Sequence, residues 1–252
     1  MIRTILFDMG GTLEDICYNE ESKELASKTI YRIITEHGLE IKESREAFWK
    51  KVLLGMDEYK AWSESNKIEK KPEEIWGEYL LRDIDLDHAK AKEIAEELAG
   101  IWEVTYYQRK LRPKVEETLE ILKNRGYRLG VISNTCSLYS VFDVLDGYQI
   151  REYFEDITLS SVTGYRKPHK EIFSLALRQM KAKASESAYV GDTISRDIIG
   201  SKNAGFGMAI QIKSFLSPEK DLHVEKAIRA DKEITRIDEL LNIFDDISDK
   251  KA

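Results

Sequence analysis

The chain has 252 residues, 42% apolar and 34% charged, with a net charge of −7 and a pI near 5.4. This is the composition of a globular protein with a sizeable core, either one large domain or a domain carrying an insert, and it excludes a disordered chain. An acidic balance without a basic block argues against a nucleic-acid partner, and the lack of an apolar run of about 18 residues argues against a membrane span.

Residues 3–7, RTILF, predict a buried parallel strand: a short apolar run stopped by a turn. Entry into a strand at once leaves no room for a signal peptide. From about 19 to 110 the texture is helical. NEESKELASKTIYRIITEHG spaces its apolar residues as a helix does, with Asn at the start and Gly at the end. KESREAFWKKVLLGMDEYKAWSE predicts a second helix, and Pro72 opens a third through Trp76 and Leu80. HAKAKEIAEELAGIWEVTYYQRK predicts a fourth, with a break at Gly100. No strand is expected here, so the region reads as a helical insert. Its tryptophans, Trp49, Trp62, Trp76 and Trp102, are expected mainly in the insert's own core, with one or two lining a cleft.

From 111 the pattern alternates. RPKVEETLEILKNRG predicts a helix, YRLGVIS a strand ending at Ser133, EDITLSS a strand, and KEIFSLALRQMKA a helix. SAYVGD predicts a strand ending at Asp192, RDIIGSKNAG a helix, GMAIQI and KEITRI strands, and DELLNIF a last helix. Alternation of this kind predicts an α/β protein with a mostly parallel, doubly covered sheet. Cys17 and Cys136 have no metal-ligand spacing and are expected as free thiols of a cytoplasmic protein.

Polar residues gather just past the predicted strand ends, where open parallel sheets bind ligands: Asp8, Ser133 with Asn134, Lys167 in GYRKPH, and Asp192 with Asp197 in VGDTISRD. Each alone has a plain structural reading. Asp8 can shape a turn, Ser133 or Asp192 can cap a helix, and Lys167 can be a solvated loop lysine. Together they suggest phosphoryl transfer through an aspartyl phosphate. Asp8 is the candidate nucleophile. Mg²⁺ would bridge it to the phosphate, with Asp192 supplying hard oxygen and Asp197 ligating directly or through water. Ser133, Asn134, Lys167 and the Gly10-Gly11-Thr12 backbone are candidates for holding phosphate oxygens.

FDMGGTL at 7–13, VISN at 131–134, GYRKPHKEIF at 164–173 and VGDTISRDIIGSKNAG at 190–205, in that order, resemble the four motifs of the haloacid dehalogenase (HAD) superfamily. The resemblance is to the subfamily with a helical cap inserted after the first motif, and it covers 1–15 and 111–245. It implies a Rossmann-like parallel-sheet core of residues 1–15 and 111–252 with an α-helical cap domain of 16–110. It also implies that Asp8 is the nucleophile, that Ser133 and Lys167 bind phosphate, and that Asp8, the carbonyl of Gly10 and Asp192 hold Mg²⁺. The chain departs from the pattern at Gly10, where family phosphatases usually carry a second Asp that protonates the leaving oxygen and activates water. Magnesium ligation survives, because that ligand is a backbone carbonyl. The general acid does not, and such a group is worth about 10²–10⁴ in rate. Asp15, His169 or a cap residue is the candidate substitute.

The function expected is therefore a Mg²⁺-dependent phosphatase of a small phosphorylated substrate, acting as a monomer or homodimer. Two other readings compete: a metal-free haloacid dehalogenase, which needs no general acid, and a phosphate-binding protein that has lost turnover.

Overall fold

The structure, a computed structural model, describes residues 1–214, 217–225 and 227–247; residues 248–252, assigned above to the core, lie outside it. Strand β1 (Thr4–Phe7) is followed by the short β2 (Glu14–Cys17). Helices α1 (Glu20–Glu36), α2 (Arg45–Asn66) and α3 (Pro72–Ile75) come next, the last running on into a π-helical turn, Trp76–Leu80. Then come α4 (His88–Glu93), α5 (Ala95–Thr105) and β3 (Gln108–Leu111). The remainder is α6 (Val115–Asn124), β4 (Arg128–Ser133), α7 (Ser140–Gly147), β5 (Asp156–Leu159), α8 (Ser160–Thr163), α9 (Lys170–Gln179), β6 (Ser187–Gly191), α10 (Ile199–Asn203), β7 (Met208–Ile212), α11 (Ser217–Lys220) and β8 (Lys232–Ile234).

Six strands form one parallel sheet in the order β5-β4-β1-β6-β7-β8. β1 is buried throughout because both its faces are covered. Ile5 and Phe7 pack into one apolar cluster with α6 and α7, while Leu6 packs into another with α9. Its neighbours in register are Val131 and Val190 at Phe7, so Asp8, Ser133 and Asp192 emerge at one edge of the sheet. Helices α1–α5 bury a separate core that includes Trp76 and Trp102, with Trp49 and Trp62 half-buried against it.

Several details differ from the sequence reading: the last helix expected from DELLNIF is a 3-10 turn, Ile237–Asn242, the short α8 and α11 were not expected, and three further differences bear on the site. β2 and β3 form an antiparallel ribbon at the two crossings between sheet and helices, pairing Glu14 with Leu111 and Cys17 with Gln108; two four-residue polar strands carry too little pattern to see alone. The fourth helix breaks at Ile94 (φ −104°, ψ 7°) rather than at Gly100. Gly100 stays helical, and a Cβ there would come within 3.9 Å of Ser137 Oγ. Helix α7 was not expected. The loop that opens it is held by Glu96 of α5, which accepts hydrogen bonds from the N–H groups of Leu138 and Tyr139 and from the Ser137 hydroxyl, while the Ser140 N–H donates to Ser137 Oγ at 2.9 Å. No described helix is long and apolar enough to cross a membrane.

Candidate active site

Asp8 leaves β1 with its N–H still bonded to the Val190 carbonyl at 2.9 Å. The next turn is tight. Gly11 has φ +86°, and a Cβ there would sit 2.4 Å from Asp192 Oδ2, so only glycine fits on both counts. The Gly11 and Thr12 N–H groups donate to the carbonyls of Glu14 and Met9. They are therefore not free to cradle a phosphate, and the expectation for that backbone is corrected on this point. The Thr12 hydroxyl is buried with no partner among the described residues. Gly10 is different: among the described residues neither its N–H nor its carbonyl has a hydrogen bond, and its φ lies outside the left-handed region.

Lys167 is the hub. Its ammonium donates to Asp8 Oδ1 at 2.5 Å, to Asp197 Oδ1 at 2.8 Å and to the Tyr189 hydroxyl at 3.0 Å, which uses all three of its protons. Asn134 places it: Oδ1 accepts from the Lys167 N–H at 2.8 Å, and Nδ2 donates to the Lys167 carbonyl at 3.2 Å. The Asn134 side chain is thus a clamp on Lys167, which leaves one Nδ2 proton unengaged among the described residues. The Ser133 hydroxyl, by contrast, has no protein partner among the described residues.

Asp8, Asp192 and Asp197 are buried, and each offers an oxygen within 4.8 Å of the others'. Burial, and then the neighbouring charges of Asp197 and Asp8, push Asp192 up to about 7. Burial also raises Asp8 despite Lys167 beside it. Asp197 is equally buried, but Lys167 and the Thr193 hydrogen bonds outweigh burial and hold it below the usual carboxylate range. Its Oδ1 faces Lys167 and Tyr189, and its Oδ2 accepts from the Thr193 N–H and hydroxyl. Lys167 and Thr193 thus engage three acceptor positions of Asp197, and the single Tyr189 proton is shared between the fourth and the Ile132 carbonyl, each at 3.3 Å. Gly191 allows this approach, since a Cβ there would lie 2.4 Å from that of Asp197.

Neither candidate substitute acid points into this cluster. Asp15 pairs with Arg112 at 2.8 Å on an exposed ribbon. His169 caps α9, its Nδ1 accepting from the Glu171 N–H. Sequence reading missed several contributors. Tyr189 reads as an ordinary strand residue. Ser214, Ser217 and Asp221 lie beyond the motifs. Ser214 donates to Asp192 Oδ2 at 2.6 Å, and Ser217 donates to the Asp192 carbonyl at 2.7 Å.

The sequence model of the haloacid dehalogenase-like hydrolases matches residues 2–205, a span that holds every member of this cluster. The chain belongs to that family. This HAD-like hydrolase is 29% identical over 231 residues to a glyceraldehyde 3-phosphate phosphatase of Methanothermobacter thermautotrophicus, covering 90% of this chain and 92% of the relative. Its fold is similar to that of a 2-haloacid dehalogenase from Pseudomonas syringae (TM-score 0.66, 24% identity, 96% and 98% covered). It is also similar to a HAD phosphatase from Thermococcus onnurineus (TM-score 0.60, 24% identity, 96% and 97% covered). In the HAD-like hydrolase described here, the helical segment touches the site's loops through buried acids. Glu103 accepts from the Thr135 hydroxyl at 3.0 Å, and Glu69 is ion-paired with Arg166, the residue before Lys167.

Proposed function

We propose that this protein is a Mg²⁺-dependent phosphatase of a small phosphorylated metabolite, working through a phosphoryl group carried on Asp8. The observation that carries the reading is the charge cluster: three buried carboxylates face one ammonium, which itself orients Asp8. Charges of one sign gathered out of water are costly unless a cation joins them. The donors suit a small hard ion: carboxylate oxygens of Asp8 and Asp192, the unengaged carbonyl of Gly10, and water. Asp197, with three acceptor positions taken, fits the water-mediated role and chiefly positions Lys167 and Thr193. When bound, the ion supplies charge neutralisation between Asp8 and the phosphate dianion.

An Asp8 oxygen attacks phosphorus, and the bond from phosphorus to the ester oxygen breaks. Lys167 supplies positive charge beside Asp8 and the incoming phosphate, and the Ser133 hydroxyl donates to a phosphoryl oxygen. Water then attacks the same phosphorus, the bond to Asp8 breaks, and inorganic phosphate leaves. With glycine at 10, and with Asp15 and His169 engaged elsewhere, the departing oxygen takes its proton from solvent. The name of the Methanothermobacter relative supports phosphate-ester chemistry. Residues 16–110 serve as a lid joined through the β2–β3 ribbon and cover the carboxyl edge of the sheet. A dehalogenase reading leaves the buried Asp192 carboxylate without a cation to hold.

The test is turnover of p-nitrophenyl phosphate with and without EDTA, for wild type and Asp8→Asn. Loss of activity in both the chelated and the variant protein is expected. Equal turnover in metal-free wild type removes the reading, and absence of turnover with any phosphate ester or acyl phosphate leaves only phosphate binding.

A further inference from the structure

The turn that follows Asp192 is tied down from beyond the recognised motifs. The Asp221 carboxylate accepts the Ile194 N–H and the Ser195 N–H, each at 2.8 Å. Ser217, at the start of α11, donates to the Asp192 carbonyl at 2.7 Å. Arg196 follows Ser195, and Lys220 precedes Asp221, so the two are carried to the same place from opposite sides of one clamp. They lie close enough for the Arg196 guanidinium to repel the Lys220 ammonium, and Lys220 also feels the charges of Asp192, Asp8 and Asp197. Among the described residues neither cation has an ion-pair or hydrogen-bond partner. Lys220 keeps an exposed surface, and Arg196 is half-buried.

Two cations brought within electrostatic reach of each other on a fixed turn repel, and an anion bound between them relieves that repulsion. Resting on the phosphatase reading above, we propose that Arg196 and Lys220 form a second anion subsite beside the phosphate site. The preferred substrates then carry a further negative group, a carboxylate or a second phosphate, besides the ester that is cleaved. Lys167 does not compete for that group, because its three protons are spent inside the cluster. Asp221 is the positioning residue that sets the spacing of the pair.

The experiment compares kcat/KM for 3-phosphoglycerate and glycerol 1-phosphate in wild type, Lys220→Gln and Arg196→Gln, with Mg²⁺ present. Wild type is expected to favour the carboxylate-bearing ester. Each substitution should lower the ratio of the two kcat/KM values by about tenfold, the scale of one charge-assisted hydrogen bond. An unchanged ratio, or equal losses on both substrates, overturns the subsite while leaving the phosphatase reading intact. A binding measurement makes the result independent of turnover. In Asp8→Asn protein, calorimetric titration should show weaker binding of 3-phosphoglycerate, but not of glycerol 1-phosphate, when Lys220 is replaced by Gln. That selective loss, alongside a wild type that hydrolyses no phosphate ester or acyl phosphate, would keep the subsite and sink the phosphatase reading. Equal affinities with and without Lys220 would sink the subsite.

Discussion

Replacing Gly10 with Asp restores a carboxylate where leaving-group protonation needs one, and the structure sets what the change costs. Gly10 does not occupy the left-handed region, so a side chain brings no backbone strain there. Its new Cβ would meet Ile16 Cδ1 at 2.9 Å, with Cγ1 and Cγ2 at 3.7 Å. Only the far end of one half-buried side chain has to move. Overpacking of that kind costs about 1–3 kcal/mol, and each 1.4 kcal/mol that reaches the transition state is tenfold in rate. Set against the roughly 10²–10⁴ supplied by a general acid, central values of about 10³ and about 2 kcal/mol leave a net gain of about thirtyfold on alkyl phosphates. Adding Ile16→Val deletes Cδ1, leaves only the ordinary 3.7 Å contacts, and should raise the gain further. The assay is kcat/KM across an acyl phosphate, p-nitrophenyl phosphate and glycerol 1-phosphate. Wild type should fall steeply along the series, because the first two leaving groups depart without a proton and the alkoxide does not. Gly10→Asp should flatten it. A flat wild-type series refutes the reasoning, since another group would then already donate the proton. So does a folded, Mg²⁺-binding Gly10→Asp/Ile16→Val protein with no gain on the alkyl ester.

At the neighbouring glycine the expectation reverses: Gly11→Ala combines φ +86° with a Cβ 2.4 Å from Asp192 Oδ2, and should reduce turnover at least a hundredfold, about 2.7 kcal/mol or more of barrier; near-wild-type kinetics would contradict that geometry. Asp192 links metal to pH. Burial, then Asp197 and Asp8, raise it from 3.8 to about 7, so in metal-free protein its favourable contribution is present below about pH 4 and is lost as pH rises through 7, an effect on the order of 4 kcal/mol at most. On the proposed metal site Mg²⁺ would take the place of that proton, so the rise in Tm on adding Mg²⁺ should be larger at about pH 8 than at about pH 5.5, and equal shifts would count against Asp192 as a ligand. The lid should move as a unit about the β2–β3 ribbon, so small-angle scattering should differ between free protein and protein with a phosphoryl mimic; identical curves would remove the lid.

From the sequence alone, the sheet and the polar residues gathered at its edge were legible for local reasons. Strands such as TILF and AYVG are short apolar runs that need burial on both faces, and Asp8, Ser133 and Asp192 follow from where those runs stop. Register then brings them together without further information. What each side chain does once there was not legible. Asn134 reads as one more polar group beside Ser133, yet it spends both amide atoms on Lys167. Asp197 reads as a ligand, yet its acceptors face Lys167, Tyr189 and Thr193. Helix α7 escaped notice because the loop that opens it is held by Glu96, 43 residues from Tyr139, and the clamp of Asp221 on Ser195 spans 26. Hydrophobic periodicity is a property of neighbours along the chain, and it survives without tertiary structure. Hydrogen-bond satisfaction is a property of neighbours in space: a polar atom takes whichever partner folding sets within about 3 Å, and only the folded chain decides which that is.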